Sequence, residues 1–134
     1  MKRTILYLDD EAACLNLLRD MLGEDYEVRT ASTHEEARRL LSLSQAEIVI
    51  SDQIMPGMTG TEFLREVAER HPKCFRVLLS GGDTVGNLLR EISTGVIHFF
   101  LTKPWTAQEM RRMLELAAIT HALHGNQSGG REDT

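Results

Sequence analysis

A doubly wound α/β domain, five strand-helix units around one parallel sheet, is the fold class this chain predicts. Three observations carry that expectation. Apolar runs of five or six residues recur five times, at residues 4–8, 26–30, 47–51, 75–79 and 96–101. Segments with apolar residues at three- and four-residue steps follow each run, which is the alternation that makes consecutive βα units. Most of the runs are apolar at nearly every position, as strands covered on both faces must be.

After the first run, Cys14, Leu15, Leu18, Met21 and Leu22 make one apolar helix face, and Gly23 stops it. The second run, Tyr26-Glu27-Val28-Arg29-Thr30, alternates apolar and charged residues, so it is the strand expected at a sheet edge. Edge placement suits the strand order 2-1-3-4-5. Thr33 followed by Glu36 has the spacing of a capping box, opening a helix that turns Ala37, Leu40 and Leu41 inward. A third helix buries Phe63, Leu64 and Val67 and ends at His71-Pro72, because proline pushes its predecessor out of the α region. Val85, Leu88, Leu89 and Ile92 mark the fourth helix, closed by Gly95, and Met110, Met113, Leu114 and Ala117 mark the fifth. Residues 125–134 contain no apolar side chain and cannot add to a core, so 1–124 is read as the domain and 125–134 as a disordered tail or truncated linker.

The chain has 134 residues, enough for one domain that buries about two thirds of its unfolded surface. Fifteen basic residues stand against 20 acidic ones, a net charge of -5, and no basic cluster marks a nucleic-acid footprint, so direct nucleic-acid binding is not expected. Cys14 and Cys74 lie far apart in apolar surroundings and read as reduced thiols. No run is long enough for a membrane span or signal peptide, and a cytoplasmic protein is expected. His121 and His124 lack a third ligand, so no zinc site is expected.

The chemistry gathers where strands end. Asp9 and Asp10 follow the first run, and Asp52 follows the third, just before the loop Gln53-Ile54-Met55-Pro56-Gly57-Met58-Thr59-Gly60. In the order 2-1-3-4-5 the first and third strands are neighbours at the topological switch point, where open α/β sheets bind ligands. Clustered carboxylates repel and call for a cation, and oxygen ligands without His or Cys favour Mg2+. The plain alternative for Asp9-Asp10-Glu11 is an acidic start to the first helix, favoured by the helix dipole. Ser80-Gly81-Gly82 ends the fourth run and Lys103-Pro104 follows the fifth. Singly, Ser80 is a loop serine and Lys103 a solvated lysine. Together with the acids they supply the nucleophile, metal ligands, cation and hydrogen-bond donor of phosphoryl transfer.

Asp9-Asp10-Glu11, Asp52 with Met55-Pro56 and Gly60, Ser80-Gly81 and Lys103-Pro104, in this order and spacing, resemble the receiver domain of two-component response regulators, including the chemotaxis regulators. The resemblance runs from about Thr4 to the fifth helix and implies a flavodoxin-like fold. It implies that Asp52 is the phosphoacceptor, and that Asp10, Asp52 and the backbone carbonyl of Ile54 hold Mg2+, with Asp9 helping through water. It assigns Lys103 to the phosphoryl oxygens and makes Ser80 and Phe100 the switch pair. Phe100 lacks a tyrosine hydroxyl, so only its burial can change, and a plain core phenylalanine is the competing reading. Apolar Ile54 and side-chain-free Gly82 cannot position an attacking water, which implies a long-lived aspartyl phosphate. Trp105 and Met58 are either exposed partner anchors or, the preferred reading, core or capping contacts.

The implied partners are a sensor histidine kinase or phosphotransfer protein and a downstream output domain or protein, with neither membrane nor nucleic acid; a homodimer is compatible with this reading. The combination of Leu79-Ser80-Gly81 with Phe100-Leu101-Thr102-Lys103-Pro104-Trp105 adds a weak similarity to receivers fused to cyclic-dinucleotide phosphodiesterase modules. The chemistry implied is self-directed rather than enzymatic turnover. A Mg2+-dependent phosphatase using an aspartyl phosphate is the rival, but phosphatases that resemble haloacid dehalogenases carry an acid two residues after the nucleophile, where Ile54 stands here. A receiver that docks or dimerises without phosphate is the third reading.

Overall fold

The computed structural model describes residues 2–81 and 85–132, with the backbone alone for 85–87 and 121–132. The elements alternate strictly: β1 Arg3–Leu8, α1 Ala12–Leu22, β2 Tyr26–Ala31, α2 His34–Leu43, β3 Ile48–Asp52, α3 Gly60–Arg70, β4 Phe75–Ser80, α4 Val85–Ser93, β5 Phe99–Thr102 and α5 Ala107–Glu132. The five strands are parallel in the order β2-β1-β3-β4-β5. The charged, alternating β2 is indeed an edge.

Strand alternation splits the core in two. Ile5 and Tyr7 of β1 and Val77 and Leu79 of β4 face α1 and α5, packing with Leu15, Leu18, Leu22, Met110, Met113, Leu114 and Ala117. Leu6, Leu8, Val49 and Leu78 face the other helices and pack with Ala37, Leu41, Phe63, Leu64, Val67 and Leu88. The three central strands are thus covered on both faces, which is why their sequences are mostly apolar rather than alternating. Cys14 and Cys74 are free thiols. No helix among the described residues is long and apolar enough to cross a membrane.

Three expectations for the helices change. Gly23 ends α1 in a right-handed conformation (φ -64°), and its role is close approach: a Cβ there would lie 2.7 Å from the Arg19 carbonyl oxygen. At α2 the Thr33 side chain accepts from the Glu36 N–H, but Glu36 reaches back to the Ser32 N–H rather than to Thr33. The reciprocal box forms instead at α3, between Thr59 and Glu62. Leu89, expected inward, is 59% exposed, because α4 turns Leu88 and Ile92 to the core and leaves Leu89 on its outer side.

The fifth strand starts at Phe99 rather than residue 96, since the N–H groups of Val96 and Ile97 return to the Glu91 carbonyl as the chain leaves α4. Gly95 makes that exit at φ +84°, where a side chain would be strained. The backbone of α5 is helical through the 125–132 stretch read from sequence as a tail; among the residues whose side chains are described, those of α5 in the core are Met110, Met113, Leu114 and Ala117. Residues 133 and 134, and the side chains of His121 and His124, fall outside the described residues.

Candidate functional site

β1 and β3 pair in register, with Leu8 opposite Ser51, so Asp52, the last residue of β3, emerges beside Asp9, the first residue after β1. Asp9, Asp10 and Asp52 thereby bring carboxylate oxygens within 4.8 Å of one another. Asp9 is wholly buried and Asp52 6% exposed, while Asp10 opens to solvent. Lys103, one residue beyond β5, crosses to them: its Nζ lies 2.9 Å from Asp52 Oδ1 and 3.4 Å from Asp9 Oδ2. A hydrogen bond from its backbone N–H to the Ser80 carbonyl (2.7 Å) ties the ends of β4 and β5 together and helps hold the lysine over the acids.

Burial pushes the Asp52 carboxyl above the usual carboxylate range; Lys103 pulls it down, and Asp9 and Asp10 push it further up. Burial alone would lower the Lys103 ammonium, but its hydrogen bond to Asp52 and the charges of Asp52 and Asp9 outweigh that and raise it. The lysine therefore stays charged beside its carboxylates. The Tyr7 hydroxyl donates to Asp9 Oδ2 at 2.6 Å, and the Glu11 N–H donates to Asp9 Oδ1 at 3.0 Å. Both Asp9 oxygens are thus engaged within the protein.

The loop after Asp52 is built to hold it still. The Gln53 N–H donates to the Leu79 carbonyl at 2.9 Å, continuing the β3–β4 ladder past Asp52. The Gln53 side-chain oxygen accepts from both the N–H and the hydroxyl of Thr61, and the Gly60 N–H returns to the Gln53 carbonyl. Ser51 donates its hydroxyl to the Asp52 carbonyl at 3.0 Å. Sequence reasoning passed over Tyr7, Ser51 and Gln53. Only Tyr7 left a signal, two residues before Asp9 and so on the same face of β1.

The remaining predicted residues are dispersed around this centre. Ser80 ends β4 with its residue 2% exposed, opposite Thr102 in the ladder. Phe100 lies opposite Leu78 and is half-buried against the cluster on the α2, α3 and α4 side. Ile54 is 79% exposed at the mouth of the site, whereas Gly82 falls outside the described residues. Met58 and Trp105 pack partly buried against the two clusters, as core contacts.

The donor set fits Mg2+. Asp9, Asp10 and Asp52 offer oxygen alone, whereas the neighbouring group of Asp9, Glu11 and Cys14 includes a thiol. Burial, then the charge of Asp9, pushes that thiol up and disfavours the thiolate a softer metal needs.

A family model described as the response regulator receiver domain matches residues 5–115. The hydrogenase transcriptional regulatory protein HoxA of Cupriavidus necator is 34% identical over 123 residues, covering 92% of this chain and 26% of its own. The response regulator receiver domain protein of Clostridium thermocellum superposes with a TM-score of 0.83 at 30% identity, covering 90% of this chain and 98% of that one. The signal receiver domain of an HD domain-containing protein from Pseudomonas fluorescens Pf-5 gives 0.85 at 27% identity, over 93% of each chain. The chain spans about a quarter of the length of the curated relatives it matches, and in them it corresponds to one part of a longer regulator. With the acids gathered at the β1–β3 switch point and this match over most of its length, the chain belongs to the receiver-domain family of response regulators, the phosphoacceptor modules of two-component signalling.

Proposed function

We propose that Asp52 is the phosphoacceptor of this receiver and that its partner is a phosphohistidine on a sensor kinase or phosphotransfer protein. The observation that carries the reading is the contact of Lys103 Nζ with Asp52 Oδ1 at 2.9 Å, at the mouth of the switch point. One Asp52 oxygen attacks phosphorus; an O–P bond forms as the N–P bond of the donor breaks, and the electron pair returns to the imidazole nitrogen, which takes up a proton. Lys103 meets the negative charge carried in by the phosphoryl oxygens from a partly shielded position, where the interaction is stronger than in water. Asp10, Asp52 and the Ile54 carbonyl would hold Mg2+, with Asp9 helping through water, and such an ion would supply charge neutralisation for the phosphoryl oxygens.

Ser80, buried at the end of β4, is assigned to the phosphoryl group once Asp52 is modified, and Phe100 to the burial change that follows. The exposed apolar Ile54 carries no group able to activate water, which favours a persistent phosphate and argues against catalytic turnover of a separate substrate. The chemistry is therefore self-directed. An output domain or protein reads the change, with self-association as one form of that output.

Acetyl phosphate with Mg2+ is expected to add one phosphoryl group, measured by intact mass, and Asp52→Asn to abolish it, because a carboxamide keeps the shape but not the nucleophile. Undiminished labelling of the Asn variant would place the acceptor elsewhere.

The metal assignment has its own test. Mg2+ at tenfold excess over its Kd should stabilise the parent by about 1.4 kcal/mol, roughly 4 to 6 °C in thermal unfolding. Asp10→Ala should lose most of that response. A response equal to the parent's removes Asp10 from the ligand set.

A further inference from the structure

We infer that Tyr7 is a positioning residue for the phosphorylation site: its hydroxyl occupies Asp9 and so leaves Lys103 committed to Asp52. The inference rests on the reading of Asp52 as phosphoacceptor and adds to it a residue outside the receiver motifs. Three donors meet Asp9. The Glu11 N–H takes Oδ1 at 3.0 Å, while the Tyr7 hydroxyl and the Lys103 ammonium both point at Oδ2, at 2.6 and 3.4 Å. The tyrosine contact has the length of a charge-assisted O–H···O− bond, and the lysine contact is a loose one. Lys103 is correspondingly closer to Asp52, at 2.9 Å.

Tyr7 and Asp9 are both fully buried, so water does not compete for that oxygen. A buried carboxylate oxygen that loses its donor draws in the nearest remaining one. Here that is Lys103, already within reach. Every movement of the ammonium toward Asp9 takes it from Asp52, where the phosphoryl group would arrive. The tyrosine is placed to prevent this by the strand itself: residues 7 and 9 lie on one face of the extended β1 end, and Tyr7 belongs to the buried cluster that faces α1 and α5. Tyr7→Phe keeps that ring and removes one oxygen.

The test is a cycle of parent, Tyr7→Phe, Asp9→Asn and the double variant, titrated calorimetrically with the phosphoryl mimic beryllofluoride at saturating Mg2+. The parent is expected to bind; a parent that binds none sinks the acceptor reading and this inference with it. Tyr7→Phe should bind beryllofluoride about tenfold more weakly, the scale of one charge-assisted hydrogen bond, with its Mg2+ affinity within about twofold of the parent's. In the Asp9→Asn background, where no carboxylate competes for Lys103, the Tyr7→Phe change should have no further effect. If Tyr7→Phe binds like the parent, or weakens binding equally in both backgrounds, the hydroxyl does not position Lys103. A Tyr7→Phe chain that does not fold, judged by circular dichroism, assigns the hydroxyl to the fold and overturns the inference as well.

Discussion

Gly60→Ala is expected to destabilise the domain by roughly 2 kcal/mol or more in urea unfolding, although the substitution replaces glycine with the best helix former at the first residue of a helix. Propensity alone favours alanine by about 1 kcal/mol. Sterics oppose it: a Cβ on Gly60 would lie 2.3 Å from the Asp52 carbonyl oxygen, 2.9 Å from its carbonyl carbon and 2.8 Å from Leu78 Cδ1. Two of those atoms are backbone, and that backbone is tied down by Ser51 and by the Gln53 hydrogen bonds to Leu79 and Thr61. Relief must therefore come from moving either the start of α3 or the peptide that carries Asp52. The second consequence is chemical, because a shifted Asp52 peptide moves the carboxylate away from Lys103. Labelling by acetyl phosphate should fall in step with stability. A variant within 0.5 kcal/mol of the parent that labels at the parental rate would show that α3 can retreat at no cost, and the close packing of Gly60 on Asp52 would then not be what positions the acceptor.

Gly60 also shows where sequence and structure part. The acids and Lys103 were legible because each ends a strand, and in a parallel sheet of order 2-1-3-4-5 strand ends converge whatever the details of packing. Gly60 could be placed in the loop but not against Asp52, since that contact depends on the depth at which α3 begins. Tyr7 lies inside an apolar run and so drew no notice, yet a buried tyrosine needs a partner for its hydroxyl, and the nearest polar residue on its own strand face is Asp9. Leu89 was misplaced because Leu88 and Leu89 are consecutive and periodicity alone does not say which faces the sheet. Arg76 was invisible for the opposite reason: one charged residue in the run Phe75-Arg76-Val77-Leu78-Leu79 reads as a solvated interruption, yet its residue is only 5% exposed.

Arg76→Met is expected to cost about 3 kcal/mol, with Arg76→Ala costing somewhat more through the cavity it adds. The guanidinium makes four hydrogen bonds, all to backbone carbonyls: Nε to Val96 at 2.9 Å, Nη2 to Gly95 at 3.0 Å, and Nη1 to Cys74 at 3.0 Å and Pro72 at 3.3 Å. Two effects compete when it is removed. Burial already pushes the Arg76 guanidinium down from its ordinary value, so deleting the charge relieves a desolvation cost. Against that, four carbonyls lose a donor, and each one left buried without a partner costs about 1 to 3 kcal/mol. Water can reach the half-buried ones in part, so the balance is a loss well below the sum of four. The carbonyls belong to the turn before β4 and to the exit from α4, which makes Arg76 the joint between those segments. Its backbone extends the joint, since the Arg76 N–H donates to His98 Nδ1 and the Arg76 carbonyl accepts from the His98 N–H. The loss should therefore be local first: amide exchange at His98 and in the α4 exit should accelerate at concentrations of urea that leave β1 and β3 protected. If Arg76→Met matches the parent in both stability and exchange, the buried guanidinium costs the fold as much as its four hydrogen bonds return, and the start of β5 is held by strand pairing alone.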